Sequence, residues 1–485
     1  MNGIQSDLLN ALPEIFVLVM AMFILILDLF LKSENRIAIF LLSQITLLGA
    51  AFITIFTYTG GVGYSFSGMF VDDPLANAVK LMIYLSTSIM MFYTRSYISL
   101  RGMFRGEFYS LILFAMLGMM IMVSGQHFLT LYMGLELLSL CLYSLVAMDR
   151  DNFHATEAAM KYFVLGALAS GMLLYGMSML YGATGSLNIT DVANALQNNA
   201  QDHPVLILGL VFVVAGLAFK LGAVPFHMWV PDVYQGAPTA ITLFIGSVTK
   251  LAAFVFVVRL LVQGLSVLVV DWQGMLIIMS VLSIALGNVT AIAQTNIKRM
   301  FAYSTISHIG YLLLGILSYS PTNPNGIAAA MFYVASYVLM TLAGFGMILL
   351  LSRKGFEAEN IEDLKGLNQR SPWFAFMMLI TMFSMAGVPP TLGFYAKFSV
   401  LQSALQAGFV WLVVYAVLMA VIGAFYYLRI VKVMYFDEPL DHHEIRNYPE
   451  MNMVLSANAL GLLILGLMPQ RLMDICAYVV VRSLQ

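Results

Sequence analysis

The sequence predicts an all-α integral membrane protein: about 14 transmembrane helices, two inverted five-helix repeats among them, and breaks in helices 7 and 12. Three observations lead there. Of 485 residues, 61% are hydrophobic and 10% charged, more apolar chain than one water-soluble core takes up. The apolar residues come in runs of roughly 20, the length that crosses a hydrocarbon layer as a helix. The runs lack the strict alternation of a membrane β-barrel, and helices and closed barrels are what satisfies a backbone in lipid.

Taken in order, the spans read as residues 9–31, 37–58, 74–94, 107–124, 127–147, 156–181, 204–228, 238–262, 272–294, 300–318, 326–351, 372–405, 408–428 and 451–468. The first thirteen residues carry no Lys or Arg. The basic start of a cleavable signal is missing, so the first span is expected to be retained. The seventh span contains Gly222-Ala223-Val224-Pro225. The twelfth, too long for one crossing, contains Gly387-Val388-Pro389-Pro390-Thr391-Leu392-Gly393. Proline removes a donor and clashes with the preceding turn, so both stretches are expected to be non-helical. Freed backbone groups at membrane depth further predict that both are buried in protein beside a wet cavity.

An internal repeat supports the span order. Residues Ala158-Ala159-Met160-Lys161-Tyr162-Phe163-Val164 match Ala328-Ala329-Ala330-Met331-Phe332-Tyr333-Val334, 170 positions on, and Gly176 and Gly346 keep that offset. The two proline breaks follow at a slightly shorter offset. Spans 4–8 and 9–13 thus form two units of five, and an odd number per unit inverts the second. The expected organisation is residues 1–106 with three spans, 107–263 and 264–435 as the repeats, and 436–485 as a loop and a last span. Of twenty-three Lys and Arg, fifteen fall in loops on one side, Lys298 and Arg299 among them, and two, Arg471 and Arg482, on the other. That bias makes the basic loops cytoplasmic and puts both termini outside. The net charge of -2 says little about partners. Two cysteines make no disulfide framework, and Cys141 reads as a small apolar residue.

The other six cations, Lys80, Lys161, Lys220, Lys250, Arg259 and Lys397, fall within spans, as does Glu136. A charge at mid-membrane costs about 2.5–3.5 kcal/mol on insertion scales and marks a functional site by default. Glu136 has Ser139 and Tyr143 on its helical face. Lys220 immediately precedes the first break, with His227 two turns on. Lys250 lies mid-span in the eighth helix, and Lys397 follows the second break, mirroring Lys220. Burial disfavours an ammonium and a nearby carboxylate favours it, so a shift of either loads or releases a proton. Histidine titrates near neutrality unaided. One acid and several lysines at one depth therefore point to a row of coupled proton sites. The plain alternative is pairing for structure or a lysine stretching to water. It is strongest for Lys161, which has Glu157 at i−4, and it is preferred for Lys80 and Arg259. His308 lies near the level of Glu136, and Tyr303 shares its helix; both are candidates for a water chain. Asp441-His442-His443-Glu444 reads as a solvated loop rather than a metal site. No phosphate-binding glycine loop, cysteine cluster or haem histidine pair is present, so no cofactor or metal ligand is expected in this chain.

These residues sit in stretches that resemble a known family. Gly134-Leu135-Glu136-Leu137-Leu138-Ser139-Leu140, Ala159-Met160-Lys161-Tyr162-Phe163-Val164-Leu165-Gly166 and the run from Phe219 through Lys220, Pro225, His227, Trp229, Pro231 and Asp232 to Pro238 resemble the N subunits of bacterial NADH–quinone oxidoreductase, respiratory complex I. The resemblance covers essentially the whole chain. It implies one of three antiporter-like proton-pumping subunits of the membrane arm, placed in the bacterial inner membrane. It matches Glu136, Lys220, Lys250, Lys397 and Lys161 to the family's helix 5 glutamate and its helix 7, 8, 12 and 6 lysines. NADH, FMN, iron–sulfur clusters and quinone would then be bound by partner subunits. The partners would be neighbouring antiporter-like and small membrane subunits and the lipid bilayer, with no nucleic acid. Two other readings stand beside it: a subunit of a multisubunit cation/proton antiporter, and a membrane scaffold with inert buried charges.

Overall fold

The computed structural model describes residues 2–32, 36–58, 60–199, 204–440, 443 and 445–484. The chain runs through α1 (Asn2–Asn10), α2 (Leu12–Asp28), α3 (Ile37–Thr57), a hairpin of β1 (Gly63–Ser65) and β2 (Phe70–Asp72), α4 (Pro74–Leu100), α5 (Gly106–Ser124), α6 (Phe128–Val146), α7 (Phe153–Thr184), α8 (Ile189–Asn199) and α9 (Pro204–Leu221). It continues through α10 (Trp229–Gly236), α11 (Thr239–Gly246), α12 (Thr249–Val257), a π-helical Val258–Gly264, α13 (Val269–Ile292), α14 (Ile297–Leu317) and α15 (Asn325–Leu351). Last come α16 (Leu367–Arg370), α17 (Pro372–Ala386), α18 (Leu392–Gln406), α19 (Val410–Phe436), α20 (Pro449–Leu467) and α21 (Pro469–Leu484). Among the described residues twelve helical stretches are long and apolar enough to cross a membrane. The all-α membrane class holds, with one three-residue hairpin that the sequence reading did not anticipate.

The stretch Thr239–Gly264 is wholly buried and forms the axis, with α14 and α15 buried almost as completely. Helices α3, α7, α13, α19 and α20 form the outside, showing rows of apolar side chains such as Leu48 and Val421. Lipid tails are as apolar as leucine, so burial gives these helices little reason to associate; close packing does. Glycine supplies it. A Cβ on Gly134 of α6 would meet Gly118 O of α5 at 2.8 Å, and one on Gly176 of α7 would meet Gly209 O of α9 at 2.7 Å.

Both proline breaks are real, and each begins at a glycine in the left-handed region, Gly222 at φ 84° and Gly387 at φ 86°. At each, two successive N–H groups turn back onto one carbonyl, Ala218 O and Phe383 O, a cap that a side chain at the glycine would strain. The first break leaves Gly222–Met228 outside helices, with Val224 N donating to Ser283 Oγ at 2.9 Å. The second is shorter than expected. Only 387–391 is non-helical, because α18 restarts at Leu392 with Gly393 N donating to Ser384 Oγ at 3.1 Å. Nor are the breaks fully enclosed, since Pro225, Pro389 and Pro390 are exposed. A proline has no N–H to satisfy, so its exposure strands no donor. The eighth span, expected as continuous, is also broken. Helix α11 stops at Ser247, φ −113° and ψ −83°, and α12 begins two residues on.

Candidate functional site

The two proline breaks bring backbone carbonyls to two of the buried lysines, Lys250 and Lys397, while Lys220 meets a hydroxyl. Lys220 sits in the last turn of α9 and donates to Ser139 Oγ at 3.2 Å. Lys250, in the first turn of α12 behind the Ser247 break, donates to Leu221 O at 2.9 Å, the last residue of α9. Its ammonium lies 5.7 Å from the centre of the Trp229 ring. Trp229 is held by its own donation to Phe219 O at 2.9 Å and by stacking on Tyr162 at 4.7 Å. Lys397, on α18, donates to Met385 O at 3.0 Å and Ala386 O at 2.9 Å, and lies 5.3 Å from the Tyr311 ring centre. None of the three has a carboxylate oxygen within 4 Å among the described residues. A helix that stops leaves its last carbonyls without partners; here a lysine takes them.

Glu136 and Lys220 are not in direct contact; each is held by a serine. Glu136 accepts from Ser170 Oγ of α7, which also donates to Tyr132 OH at 3.3 Å. Ser139, one turn along, is the group that Lys220 reaches. A cavity lined by Ser139, Ser170 and Lys220 measures about 20 Å³, room for a single water rather than the wet cavity the break suggested. Glu136 is thus tied to Ser170 of α7, and Lys220 of α9 to Ser139 of α6.

In the second half the centre is His308, 3% exposed. Its Nδ1 meets Tyr333 OH at 2.7 Å and its Nε2 meets Tyr427 OH at 3.0 Å. A neutral imidazole donates from one nitrogen and accepts at the other, so both of its ring nitrogens are satisfied by the two tyrosines. Tyr427 OH also meets Ser304 Oγ.

The other candidates separate from this line. Lys161 is half-exposed and pairs with Glu157 at 3.0 Å and Asp232 at 2.9 Å. Asp232 also takes Arg299 at 2.9 Å. Burial raises the Asp232 carboxyl, but the hydrogen bonds and charges of Lys161 and Arg299 outweigh it and hold the group below the usual carboxylate range. His227 lies in the first break, 7% exposed, with Nδ1 unpartnered. Tyr303 is half-buried under the Arg299 guanidinium, 6.0 Å away, and takes no part in the His308 cluster. Lys80 pairs with Glu14 at 2.6 Å. Arg259 in the π-helical turn grips Asp73 at both oxygens, 2.7 and 2.9 Å, and Gln263 at 3.0 Å. Of Asp441-His442-His443-Glu444, all but His443 lie outside the described residues. Sequence reasoning missed Ser170, Trp229, Tyr311, Tyr333 and Tyr427, aromatic and small residues that look like packing, and it placed Lys298 in a loop. Asn296, whose side chain caps α14 by accepting from Arg299 N, was the signal that Lys298 lies inside a helix.

Residues 125–423 match the family described as NADH:quinone oxidoreductase/Mrp antiporter, TM. The chain is 71% identical over 486 residues to NADH-quinone oxidoreductase subunit N of Methylovorus glucosotrophus (strain SIP3-4), covering 100% of both. It is 58% identical to the subunit of the same name from Nitrosomonas europaea, covering 98% of each. Among solved structures it resembles a chain of respiratory complex I from Thermus thermophilus with bound aureothin, with TM-score 0.81 and 31% identity over 95% of this chain and 98% of that one. A chain of the Mrp complex from Dietzia sp. DQ12-45-1b has TM-score 0.83 at 19% identity, covering 98% and 97%, a likeness of fold.

Proposed function

Because the chain belongs to the NADH-quinone oxidoreductase subunit N family, we propose that Glu136, Lys220, Lys250, His308 and Lys397 carry its protons. The chain is a proton-translocating, antiporter-like membrane subunit of NADH–quinone oxidoreductase, and its activity is that of the proton-pumping complex. One contrast carries the assignment of residues. Two buried cations, Lys80 and Arg259, are matched by buried carboxylates, the arrangement expected of structural charges. Lys220, Lys250 and Lys397 rest instead on a hydroxyl and on carbonyls at helix breaks. A neutral acceptor lets an ammonium become an amine without leaving a charge behind, which a carboxylate partner does not. Lys161, paired with two carboxylates, reads as structural by the same criterion, and His227 and Tyr303 lie beside the line.

The proposed path crosses from Glu136 and Lys220 through Lys250 to His308 and Lys397, with water completing the gaps. The wider arrangement proposed with it has fourteen crossings, counting α2 and the broken pair α17–α18 as one each. Its units are 107–263 and 264–435, inverted, flanked by 1–106 and 436–485. Their element order supports this: hairpin α5–α6, α7, broken α9–α10 and α11–α12 answer hairpin α13–α14, α15, broken α17–α18 and α19. The chain spans the bacterial inner membrane with basic loops in the cytoplasm and both termini outside. NADH, FMN, iron–sulfur clusters and quinone belong to partner subunits, and neighbouring antiporter-like and small membrane subunits flank this one. The cation/proton antiporter reading fits less well, because the Mrp likeness rests on 19% identity.

The test is Glu136→Gln in the native complex, measuring assembly, NADH oxidation and proton uptake by inverted membrane vesicles. Assembled complex with lowered proton uptake per NADH is expected. Unchanged uptake per NADH would remove Glu136 from the path.

A further inference from the structure

One buried cation fits the unpaired group although sequence put it among the loop charges. Lys298 is the second residue of α14 and is 3% exposed. Its Nζ donates to Ala237 O at 2.7 Å, and no carboxylate oxygen lies within 4 Å of it among the described residues. That repeats Lys250 on Leu221 and Lys397 on Ala386. Ala237 is the residue at which α10 ends, so this lysine too takes a carbonyl at a helix terminus.

A cavity of about 400 Å³ opens over it, with Glu157, Asp232, Glu357 and Glu359 in its walls. Glu357 is committed to Arg101 Nε at 2.8 Å, Tyr97 OH at 2.9 Å and Thr239 Oγ1 at 3.1 Å, and Asp232 to Lys161 and Arg299. Glu359 is half-buried, and among the described residues its side chain has no hydrogen-bond partner.

On the far side of Ala237 the buried Thr242 Oγ1 lies 3.4 Å from Ala237 O and donates to Tyr234 O at 3.0 Å, and Tyr234 itself stands one turn before Ala237 on α10. It is fully buried, and among the described residues its hydroxyl has no hydrogen-bond partner. A Cβ on Gly246, the last residue of α11, would meet that hydroxyl at 3.2 Å, which sets it beside the Ser247 break that precedes Lys250. Beside it on α15, Tyr337 OH donates to Thr305 Oγ1 at 2.8 Å, and the Tyr337 ring centre is 5.2 Å from that of His308. Buried hydroxyls on α10, α11 and α15 thus stand on elements packed against those that carry Lys298, Lys250 and His308.

We propose that Lys298 is a further proton-carrying residue, the first buried station behind an aqueous vestibule on the basic-loop side, feeding the middle of the bundle through the Tyr234 hydroxyl. Hydronium or the Glu359 carboxyl gives a proton to the neutral Nζ. The ammonium then passes one through water to the Tyr234 oxygen as the hydroxyl gives its own proton through water to the neutral Nζ of Lys250, and no electron moves. This rests on the proton-translocating reading, so Lys250→Met is measured in parallel.

The experiment uses the whole complex in inverted vesicles, scoring proton uptake per NADH oxidised against assembled complex. Lys298→Met and Lys298→Arg are both expected to fall as far as Lys250→Met. Arginine still donates to Ala237 O but does not release a proton at accessible pH, so a merely structural tie between α10 and α14 would survive it. Wild-type uptake from either variant overturns the proposal. Should Lys298→Met not assemble, Glu359→Cys decides. Modification by a bulky maleimide, with identically treated wild type as control, is expected to lower uptake to the Lys250→Met level. Complete labelling with unchanged uptake overturns the vestibule. If Lys250→Met pumps normally, the central relay fails, and Lys298→Met is then judged against wild type alone.

Discussion

Replacing Lys250 separates relay from scaffold, and the structure fixes what each substitution removes. Lys250→Met deletes one hydrogen bond to Leu221 O and one cation–π contact with Trp229. A buried carbonyl left without its donor costs about 1–3 kcal/mol, and a desolvated cation–π contact about 2 kcal/mol. Against this, a buried ammonium with no carboxylate partner carries a desolvation cost of several kcal/mol, on the order of either loss. The two sides nearly cancel, so the complex is expected to assemble in wild-type amounts. The kinetic consequence is large. Lys250→Arg retains charge and donor, but arginine ionises roughly two to three units above lysine, and each unit is 1.36 kcal/mol. Giving up its proton therefore costs about 3–5 kcal/mol more in the same surroundings, a slowing of about 10²-fold or more. Proton uptake by inverted vesicles, divided by NADH oxidised and by complex present, is expected to fall alike in Lys250→Met and Lys250→Arg. Full uptake by Lys250→Arg would show that this lysine serves as a fixed charge, and the relay argument would go with it.

Three further outcomes are expected. Arg259→Met strands Asp73 in a site 1% exposed and should destabilise the subunit by about 3–5 kcal/mol, seen as early thermal unfolding of the purified complex; Asp73→Leu with Arg259→Met should recover most of it. Tyr427→Phe leaves His308 with Tyr333 alone, costs about 1 kcal/mol of stability, and should lower proton uptake while assembly holds; wild-type uptake would take Tyr427 out of the path. For Asp232 the sign follows from its depressed ionisation. A carboxyl lowered on folding stabilises above its unfolded value, about 3.9, and that contribution is lost as pH falls through the folded value. The melting-temperature gap between wild type and Asp232→Asn should stay constant from pH 8 to 5 and close only below about 4; a gap changing between 5 and 7 would contradict the Lys161–Asp232–Arg299 link.

How much of this was legible in the sequence depends on the range over which each signal acts. Spans and proline breaks are local facts of composition and backbone chemistry, so Gly222 and Gly387 announced their helix ends. The break at Ser247 carries no proline. Nothing local distinguishes Gly246-Ser247 from the same pair inside a straight helix, and the interruption appears only once Thr239–Gly264 is packed on all sides. Charges within spans were legible because lipid makes them costly. Their partners were not, since Arg259 meets Asp73 across 186 residues and Lys220 meets Ser139 across 81. The tyrosines around His308 were invisible for another reason: in an apolar chain a tyrosine reads as packing until its hydroxyl is seen to face a ring nitrogen.

The breaks and the lysines are therefore one device rather than two. A helix that ends inside a bundle exposes carbonyls that water does not reach, and these need donors. A lysine is a donor that remains one when it loses a proton, because its neutral amine still has N–H bonds to give. An arginine does not make that change, and a carboxylate partner would oppose it. On the proposed reading, Leu221 O with Lys250, Ala386 O with Lys397 and Ala237 O with Lys298 let each lysine cycle between charged and neutral while the backbone stays satisfied. The fold keeps its carboxylate-paired cations, Lys80 with Glu14 and Arg259 with Asp73, off that line, where a charge that does not change serves to hold helices together.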